Sequence, residues 1–407
     1  MKLLYIHQYF KFPRENGGTR SFDLAQSFRK ENIDVEIISA TSSKEYKNKR
    51  WTRVEEDGLV IHFIYLPYNN EMSYRQRIFV FLKFLYYATR KALKIKTDLV
   101  LATSTPLTIG IPAMVKKWRH KTPFIFEVRD VWPEVVIAIG VIKNKFLQKL
   151  MLYLEKKIYK NAAAIVPLSV DMKKSIVTRF PNISKEKPIL VIENISEIQR
   201  FTSKHSTVSL PEKIETQPRF SILYAGTFGK VNNIQYVLDL AEKTYSLDST
   251  IAFILVGDGG EKEDIIECAK EKDLLQKNVF ILPSIPKSQL SQWYNAVDMG
   301  SSFVLPKPEL WANSANKFFD SLAAGKPVLI NHGGWQAEKI KKEKIGYVLP
   351  TKITSDDVKA FIAYTKDDKK MNEHSKHAKN VALSDYSLDI AVKKYLSIIH
   401  QILPKNV

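Results

Sequence analysis

NSANKFFDSLAAGKPVLIN, residues 313–331, is the stretch whose reading decides the fold. It predicts a helix followed by a buried strand. Asn313 and Ser314 are residue types that cap helix N-termini, and Gly325 stands where a chain leaving a helix turns left-handed. Pro327 bars the helix from continuing, and Val328-Leu329-Ile330 is a short β-type run. A helix opening this way leaves unpaired N–H groups and a positive dipole end near Ala315 and Asn316, where an anion can dock. Asp320, farther along the same helix, is placed to meet a sugar hydroxyl beyond that anion. A phosphate seat and a ribose carboxylate on one helix point to a nucleotide-sugar site. The same pattern also serves a plain helix–strand corner of any α/β domain.

Upstream, the pattern repeats. Strand FSILYAG from Phe220 is followed by a Thr227–Asn233 turn and a helix from Ile234. Strand IAFILVG at 251–257 ends in Asp258-Gly259-Gly260, and strands near Val279–Leu282 and Met299–Val304 lead into the opening stretch. The first half of the chain behaves likewise. Residues 2–6 predict a strand, a loop carries Gly17-Gly18-Thr19-Arg20, and a helix from Ser21 leads to a strand at Val35–Ser39. The Gly pair lets backbone approach a ligand, although it also suits an ordinary turn; neither a G-x-G-x-x-G fingerprint nor a P-loop is present. Further strand-like runs lie at Leu99–Ala102, Phe124–Val128, Ala164–Pro167 and Leu190–Ile192, with helices between them. The helix at Asn144–Tyr159 is expected to set Phe146, Leu150, Leu154 and Ile158 on one face. Such alternation predicts two doubly wound, mostly parallel α/β domains facing a cleft. Residues 1–198 form the first domain, 199–217 the linker and 218–384 the second; a C-terminal helix within 385–407 is expected to pack back on the first.

The chain has 407 residues and 45% hydrophobic content, enough for two cores. Its single cysteine, Cys268, excludes an internal disulfide and a cysteine-based metal site. The opening MKLLYIHQYF reads as a strand rather than a signal peptide, and no apolar run reaches about 18 residues. A cytoplasmic location is expected. Charge is uneven: residues 1–198 hold 34 basic and 19 acidic side chains, whereas the remainder is close to balanced within a net charge of +19. From Met72 to Phe126 the only acid is Asp98. A basic half of this kind meets polyanions: nucleic acid, an anionic membrane or a phosphorylated substrate. Residues 73–96, SYRQRIFVFLKFLYYATRKALKIK, set Ile78, Phe81, Leu82, Leu85 and Ala92 on one helical face and Phe79, Lys83, Tyr86, Arg90 and Lys94 on another. Aromatics beside basic residues suit the interface of an anionic leaflet, and a helix packed inside a domain with lysines at its rim would read alike.

Glu127-Val-Arg-Asp-Val-Trp-Pro-Glu134 follows the Phe124 strand at its carboxyl end, where open α/β sheets collect functional groups. Its acids and Arg129 can hold a polar acceptor and assist proton transfer, or cap a helix as an ion pair. His7 is a candidate cleft residue or a satisfied structural histidine. His374 and His377 lie in a Lys-rich helix expected at the surface, and no metal cluster is evident.

The order of these motifs resembles a GT-B glycosyltransferase of the retaining, family-4 type. The resemblance covers nearly the whole chain through Gly17-Gly18, Tyr224-Ala-Gly-Thr-Phe-Gly-Lys230, Val256-Gly-Asp-Gly-Gly260 and Asp320-Ser-Leu-Ala-Ala-Gly-Lys-Pro327. The Glu127–Glu134 segment resembles the E-x-R-D-x-W-P-E of the branch that includes L-fucosamine transferases of polysaccharide assembly. The resemblance implies a nucleotide-diphosphate sugar, UDP-linked, on the second domain, touched by Gly17, Gly18, Gly226, Lys230, Gly257, Ala315, Asn316, Lys317 and Asp320. It implies an acceptor on the first domain, a polyprenyl-diphosphate-linked saccharide, met by Arg20, Glu127, Arg129, Asp130 and Glu134, with the protein peripheral on the inner face of the cell membrane. No cofactor or metal is expected. The sequence departs from the family at four positions. The G-R-L-x-x-x-K-G pattern has Thr227 and Asn232 where Arg and Lys are usual, so Lys230 is expected to carry the diphosphate contact. Ala312 stands in the first position of the E-x7-E pair and Asp320 in the second; Glu309 is a candidate substitute. Asp130, Lys230 and Glu309 are thus the candidate catalytic residues. A UDP-sugar 2-epimerase of the same fold and a basic nucleic-acid-binding protein are the alternative readings; no nucleic-acid module is recognisable.

Overall fold

Short β-branched runs become the strands of two sheets in the computed structural model, which describes residues 1–47, 49–67, 72, 74–202 and 218–404. The first sheet comprises β1 (Lys2–Ile6), β2 (Asp34–Thr41), β3 (Trp51–Glu56), β4 (Leu59–Tyr65), β5 (Leu99–Thr103), β6 (Phe124–Val128) and β7 (Ala164–Pro167), in the order β3-β4-β2-β1-β5-β6-β7. The second comprises β8 (Phe220–Thr227), β9 (Ile251–Asp258), β10 (Val279–Leu282), β11 (Met299–Ser302), β12 (Val328–Ile330) and β13 (Gly346–Val348), in the order β10-β9-β8-β11-β12-β13. Every pairing is parallel except β3 with β4. Strand direction of winding switches beside β1 and beside β8, and ligand crevices of doubly wound sheets open at such points. β5, β6 and β7 are buried at every residue, as strands covered on both faces require.

The β3–β4 hairpin is absent from the sequence reading, although Asp57-Gly58, with φ of 49° and 72°, is a two-residue hairpin turn of the left-handed type. Leu190–Ile192, expected as a strand, makes only an isolated bridge between Ile165 and Ile189 beside it. The expected linker falls largely at 203–217, outside the described residues; Ile198–Thr202 is a short helix.

Six helices matter for the site and its surroundings: α1 (Arg20–Lys30), α2 (Tyr74–Lys94), α3 (Gly110–His120), α4 (Lys145–Asn161), α5 (Asn316–Ala323) and α6 (Leu388–Ile402). The C-terminal α6 packs on the first domain: Tyr395, Ile398 and Ile399 share a core with Leu3, Tyr5 and Phe28. Helix α2 buries Val80, Phe84, Ala88 and Ala92, spaced by four residues. The expected grouping on α2 is corrected, because Ile78 and Leu82 are exposed and lie with Phe79, Lys83, Tyr86 and Arg90. On α4 only Glu155, Ile158 and Tyr159 are buried; Phe146 and Leu150, expected on one face with Leu154 and Ile158, are exposed. His374 is buried rather than superficial, bonded to the Tyr364 hydroxyl at 2.9 Å. Among the described residues, no helix is long and apolar enough to cross a membrane.

Candidate active site

The helix of the opening stretch starts later than its cap residues suggest. Ala315 is the N-cap of α5 and has no capping side chain, while the Asn313 carboxamide accepts from the Ala315 N–H at 3.2 Å. The Phe318 N–H turns back to the Ala315 carbonyl at 3.1 Å, so among the described residues the Asn316 and Lys317 amides are the ones left for a ligand. Gly325, with φ +65°, ends the helix and turns the chain into β12.

The start of α5 forms the floor of a cavity of about 500 Å³. Its walls come from the carboxyl ends of three second-domain strands: Ala225-Gly226-Thr227 closing β8, Val256-Gly257-Asp258 closing β9, and Ser284-Ile285 in the turn beyond β10. Asn16, Gly17 and Gly18 of the first domain close it from across the cleft. Glycine leaves room for close approach at two places here, to backbone at Gly257 and to a side-chain amide at Gly18. A Cβ on Gly257 would stand 1.9 Å from the Gly226 carbonyl oxygen, and one on Gly18 would stand 2.5 Å from the Asn316 amide nitrogen. Hydrogen bonds tie the two domains around the cavity: Asn16 Nδ2 donates to Ser284 Oγ at 2.8 Å, the Lys287 N–H to the Glu15 carbonyl at 3.2 Å, and Asn194 Nδ2 to the Ser314 carbonyl at 3.1 Å.

Two lysines define the electrostatics. Lys317 reaches from α5 over Gly226, its ammonium 4.9 Å from the Tyr224 ring centroid and 3.4 Å from Asn232 Oδ1. Among the described residues no carboxylate lies within ion-pair distance of it. Burial pushes its pKa down to about 8, with Asp320 pulling the other way. Lys287, which the sequence reading missed, is buried and holds Asp320 Oδ1 at 2.5 Å. Its signal in the sequence was position: Ile285-Pro286-Lys287 lies in the turn shortly beyond β10, at the ligand end of the sheet.

Of the expected donor residues, Gly17, Gly18, Gly226, Gly257, Ala315, Asn316, Lys317 and Asp320 all line this cavity. Lys230 does not. It opens a 3-10 turn, Lys230–Asn232, and is exposed. Asn232 instead faces Lys317, so the cation at this corner comes from α5. Glu309, on the short Pro308–Trp311 helix, is likewise exposed and outside the cavity.

The expected acceptor residues divide. Arg20 and Glu127 form a buried ion pair, Nε to Oε2 at 3.1 Å, with both side chains almost inaccessible. Arg20 also donates to the Glu193 and Ile192 carbonyls at 2.6 and 3.0 Å, and Glu127 accepts from Thr103 and Tyr395. Burial alone would raise the Glu127 carboxyl, but Arg20 and Arg129 with these hydrogen bonds hold it below the usual carboxylate range. The polar groups of the pair are occupied by each other, by Thr103, by the Ile192 and Glu193 carbonyls and, on α6, by Tyr395, so neither side chain is open to an acceptor. Glu134 accepts from Ser175 Oγ at 2.7 Å and lies 3.5 Å from Arg179, which is paired with Glu155 at 2.6 Å. Arg129 and Asp130 are half-buried at the end of β6. Asp130 accepts from Thr105 Oγ1 at 2.9 Å, and Arg129 lies 3.4 Å from His7 Nε2. His7 is buried and bonded to Ser21 Oγ at 2.8 Å; burial and Arg129 hold its pKa well below the ordinary value, so it is neutral. Among the described residues no group of three His, Cys, Asp or Glu side chains could hold a metal ion.

Known proteins match this arrangement in fold. Superposition on sucrose-phosphate synthase from Thermosynechococcus elongatus gives a TM-score of 0.75 at 14% identity, covering 98% of each chain. Anabaena HepE in complex with UDP and glucose gives 0.71 at 14% identity over 98% of this chain and 100% of that one. An E. coli trehalose-6-phosphate structure bound with UDP-2-fluoro glucose gives 0.76 at 10% identity over the whole of both. No curated protein matches by sequence. The family model for Glycosyltransferase Family 4 matches residues 17–200, and that for glycosyl transferases group 1 matches residues 210–381. Between them the two models take in the second sheet, the first sheet beyond β1 and the cleft, and the chain is a family-4 glycosyltransferase of GT-B fold.

Proposed function

We propose that the protein transfers a sugar, with retention of configuration, from a UDP-sugar to a polyprenyl-diphosphate-linked saccharide in surface polysaccharide assembly. The observation that carries the donor half is Lys317: an ammonium with no carboxylate within ion-pair distance among the described residues, beside the uncapped start of α5, at the floor of a 500 Å³ cavity. A diphosphate seated there satisfies the α5 amides and restores full charge to the lysine. Lys317 thereby replaces the lysine that the family pattern places at Asn232. Asp320, oriented by Lys287, receives the ribose hydroxyls. Transition-state charge develops on the leaving diphosphate, and groups fixed in place before reaction stabilise it without reorganisation. In the retaining mode the acceptor hydroxyl attacks from the leaving-group face and its proton passes to the departing phosphate oxygen, so no enzymic nucleophile is required. Arg129 and Asp130 remain as acceptor-side residues. An N-acetylated amino or deoxy sugar is the donor class suggested by the Glu127–Glu134 segment.

The exposed face of α2 supports a lipid acceptor. Phe79 and Tyr86 are exposed beside Lys83 and Arg90, which suits the interface of an anionic membrane. An epimerase reading needs an acid–base pair in the cavity, whereas the carboxylates lining it are Asp258 and the lysine-held Asp320. Incubation with radiolabelled UDP-sugars and membrane lipid extract tests the proposal. Label entering the organic phase, in a product of unchanged anomeric configuration, is expected. Label that stays soluble as an epimerised UDP-sugar would overturn it.

A further inference from the structure

Helix α4 combines two features that a helix folded only against its own domain does not combine. Its C-terminal half is anchored by Glu155, Ile158 and Tyr159, yet none of its first nine residues, Lys145 to Tyr153, is buried. That segment spans roughly 13 Å at 1.5 Å per residue. It is nevertheless rich in large apolar side chains. Phe146, Leu150 and Tyr153, at i, i+4 and i+7, form one stripe with exposures of 77%, 52% and 58%. The stripe lies on the side of the helix away from Ile158 and Glu155, and Lys157 continues it with its ammonium 5.2 Å from the Tyr153 ring centroid.

The surroundings share this character. Helix α3 packs against both α2 and α4 and carries Trp118, 58% exposed, whose indole N–H donates to Asn161 at the end of α4 at 3.2 Å. Of the fifteen large hydrophobic residues exposed among the described residues, ten lie on these three helices, so the apolar surface is concentrated rather than scattered. The charge on α4 is one-signed: five lysines accompany one acid, Glu155, which is buried against Arg179 at 2.6 Å.

We propose that the Phe146–Tyr153 half of α4 is a second membrane-contact element, seated among the headgroups of an anionic bilayer in line with the exposed face of α2. This rests on the reading that the first domain works at a membrane surface. Apolar side chains ringed by lysines fit a leaflet bearing negative headgroups; a protein partner would need a groove both apolar and acidic. A lone helix lying on a bilayer leaves the domain free to rock about its axis. A second contact line removes that freedom and fixes the plane in which the cleft opens.

The test uses vesicles of phosphatidylglycerol and phosphatidylethanolamine, with phosphatidylcholine vesicles as control. Phe146→Ser/Leu150→Ser and Phe79→Ser/Leu82→Ser are compared with the unmodified chain, and a nitroxide at Leu150→Cys in a Cys268→Ser background reports immersion by its accessibility to oxygen. At least a tenfold loss of anionic-vesicle affinity in the α4 variant, with unchanged melting temperature and UDP binding, is expected, together with oxygen-accessible nitroxide on the vesicle. Full vesicle binding by the α4 variant, with loss only in the α2 variant, would overturn the inference and leave the α2 reading standing. No binding of the unmodified chain to anionic vesicles would remove the membrane reading itself. Dissociation of an oligomer by the α4 substitutions, without change in vesicle binding, would make the face a protein interface and also overturn the inference.

Discussion

Replacing Lys317 with methionine separates the charge of the cavity from its shape. Methionine fills a similar volume and can stay against the Tyr224 ring, so the fold is preserved while the ammonium is lost. A hydrogen bond to a charged group is worth about 1.5–3 kcal/mol, which corresponds to a loss of donor affinity of about tenfold to a hundredfold. The free protein should respond in the opposite direction. Burial pushes its Lys317 pKa down to about 8 from the ordinary lysine value of about 10.4, so folding disfavours the charged form. At 1.36 kcal/mol per pH unit the cost has an upper bound of about 3 kcal/mol. Because the folded pKa is depressed for a cation, the unfolded chain binds more protons between about pH 8 and about pH 10.4. The cost is present in full below pH 8 and disappears as pH rises through that window. Lys317→Met should therefore melt no lower than the unmodified protein at pH 7 while losing UDP. A bound diphosphate restores the proton, so UDP affinity of the unmodified protein should fall as pH rises above about 8, and calorimetry at pH 8.5 should show proton uptake through its dependence on buffer ionisation enthalpy. Undiminished UDP binding by a folded Lys317→Met would refute this reasoning.

Gly18→Ala places a methyl group 2.5 Å from the Asn316 amide nitrogen across the cleft, so it should raise the donor KM several-fold with little change in melting temperature. Asp320→Ala leaves Lys287 buried without its partner, an imbalance worth about 3–5 kcal/mol. It should lower both stability and donor binding, whereas Asp320→Ala combined with Lys287→Met should recover stability without recovering binding; both are read by thermal melts with and without UDP. Glu127→Gln strands Arg20 in the same way and should lower the melting temperature. If stability were untouched and only acceptor KM rose, the assignment of that pair to the α6 anchor would be wrong.

Much of this molecule was legible because its information is local. Strands buried on both faces appear as unbroken apolar runs, and Gly325-Lys326-Pro327 marks a helix end from chemistry alone. The donor cavity was legible for a related reason: its walls are turns at strand ends, where Gly226 and Gly257 announce close backbone approach. Charged partners were not legible, because pairing is non-local. Lys230 looked like the diphosphate cation since it is near the motif in sequence, but Lys317 reaches the same corner from a helix far along the chain. Glu127 looked like a cleft acid until Arg20 and Tyr395 closed around it from two other elements. Periodicity similarly identified α4 as amphipathic without revealing that its stripe faces outward, since only the packing of its neighbours decides which side of a helix is covered.

The central claim is that this cleft seats a nucleoside diphosphate on α5 and Lys317. Isothermal titration of the unmodified protein with UDP, GDP, ADP and CMP tests it most directly. One molar equivalent of UDP should bind, at least tenfold more tightly than any other nucleotide tried, and UDP should be displaced competitively by a UDP-sugar. Binding of GDP alone would keep the seat and change the donor. Failure of all four to bind would contradict the claim.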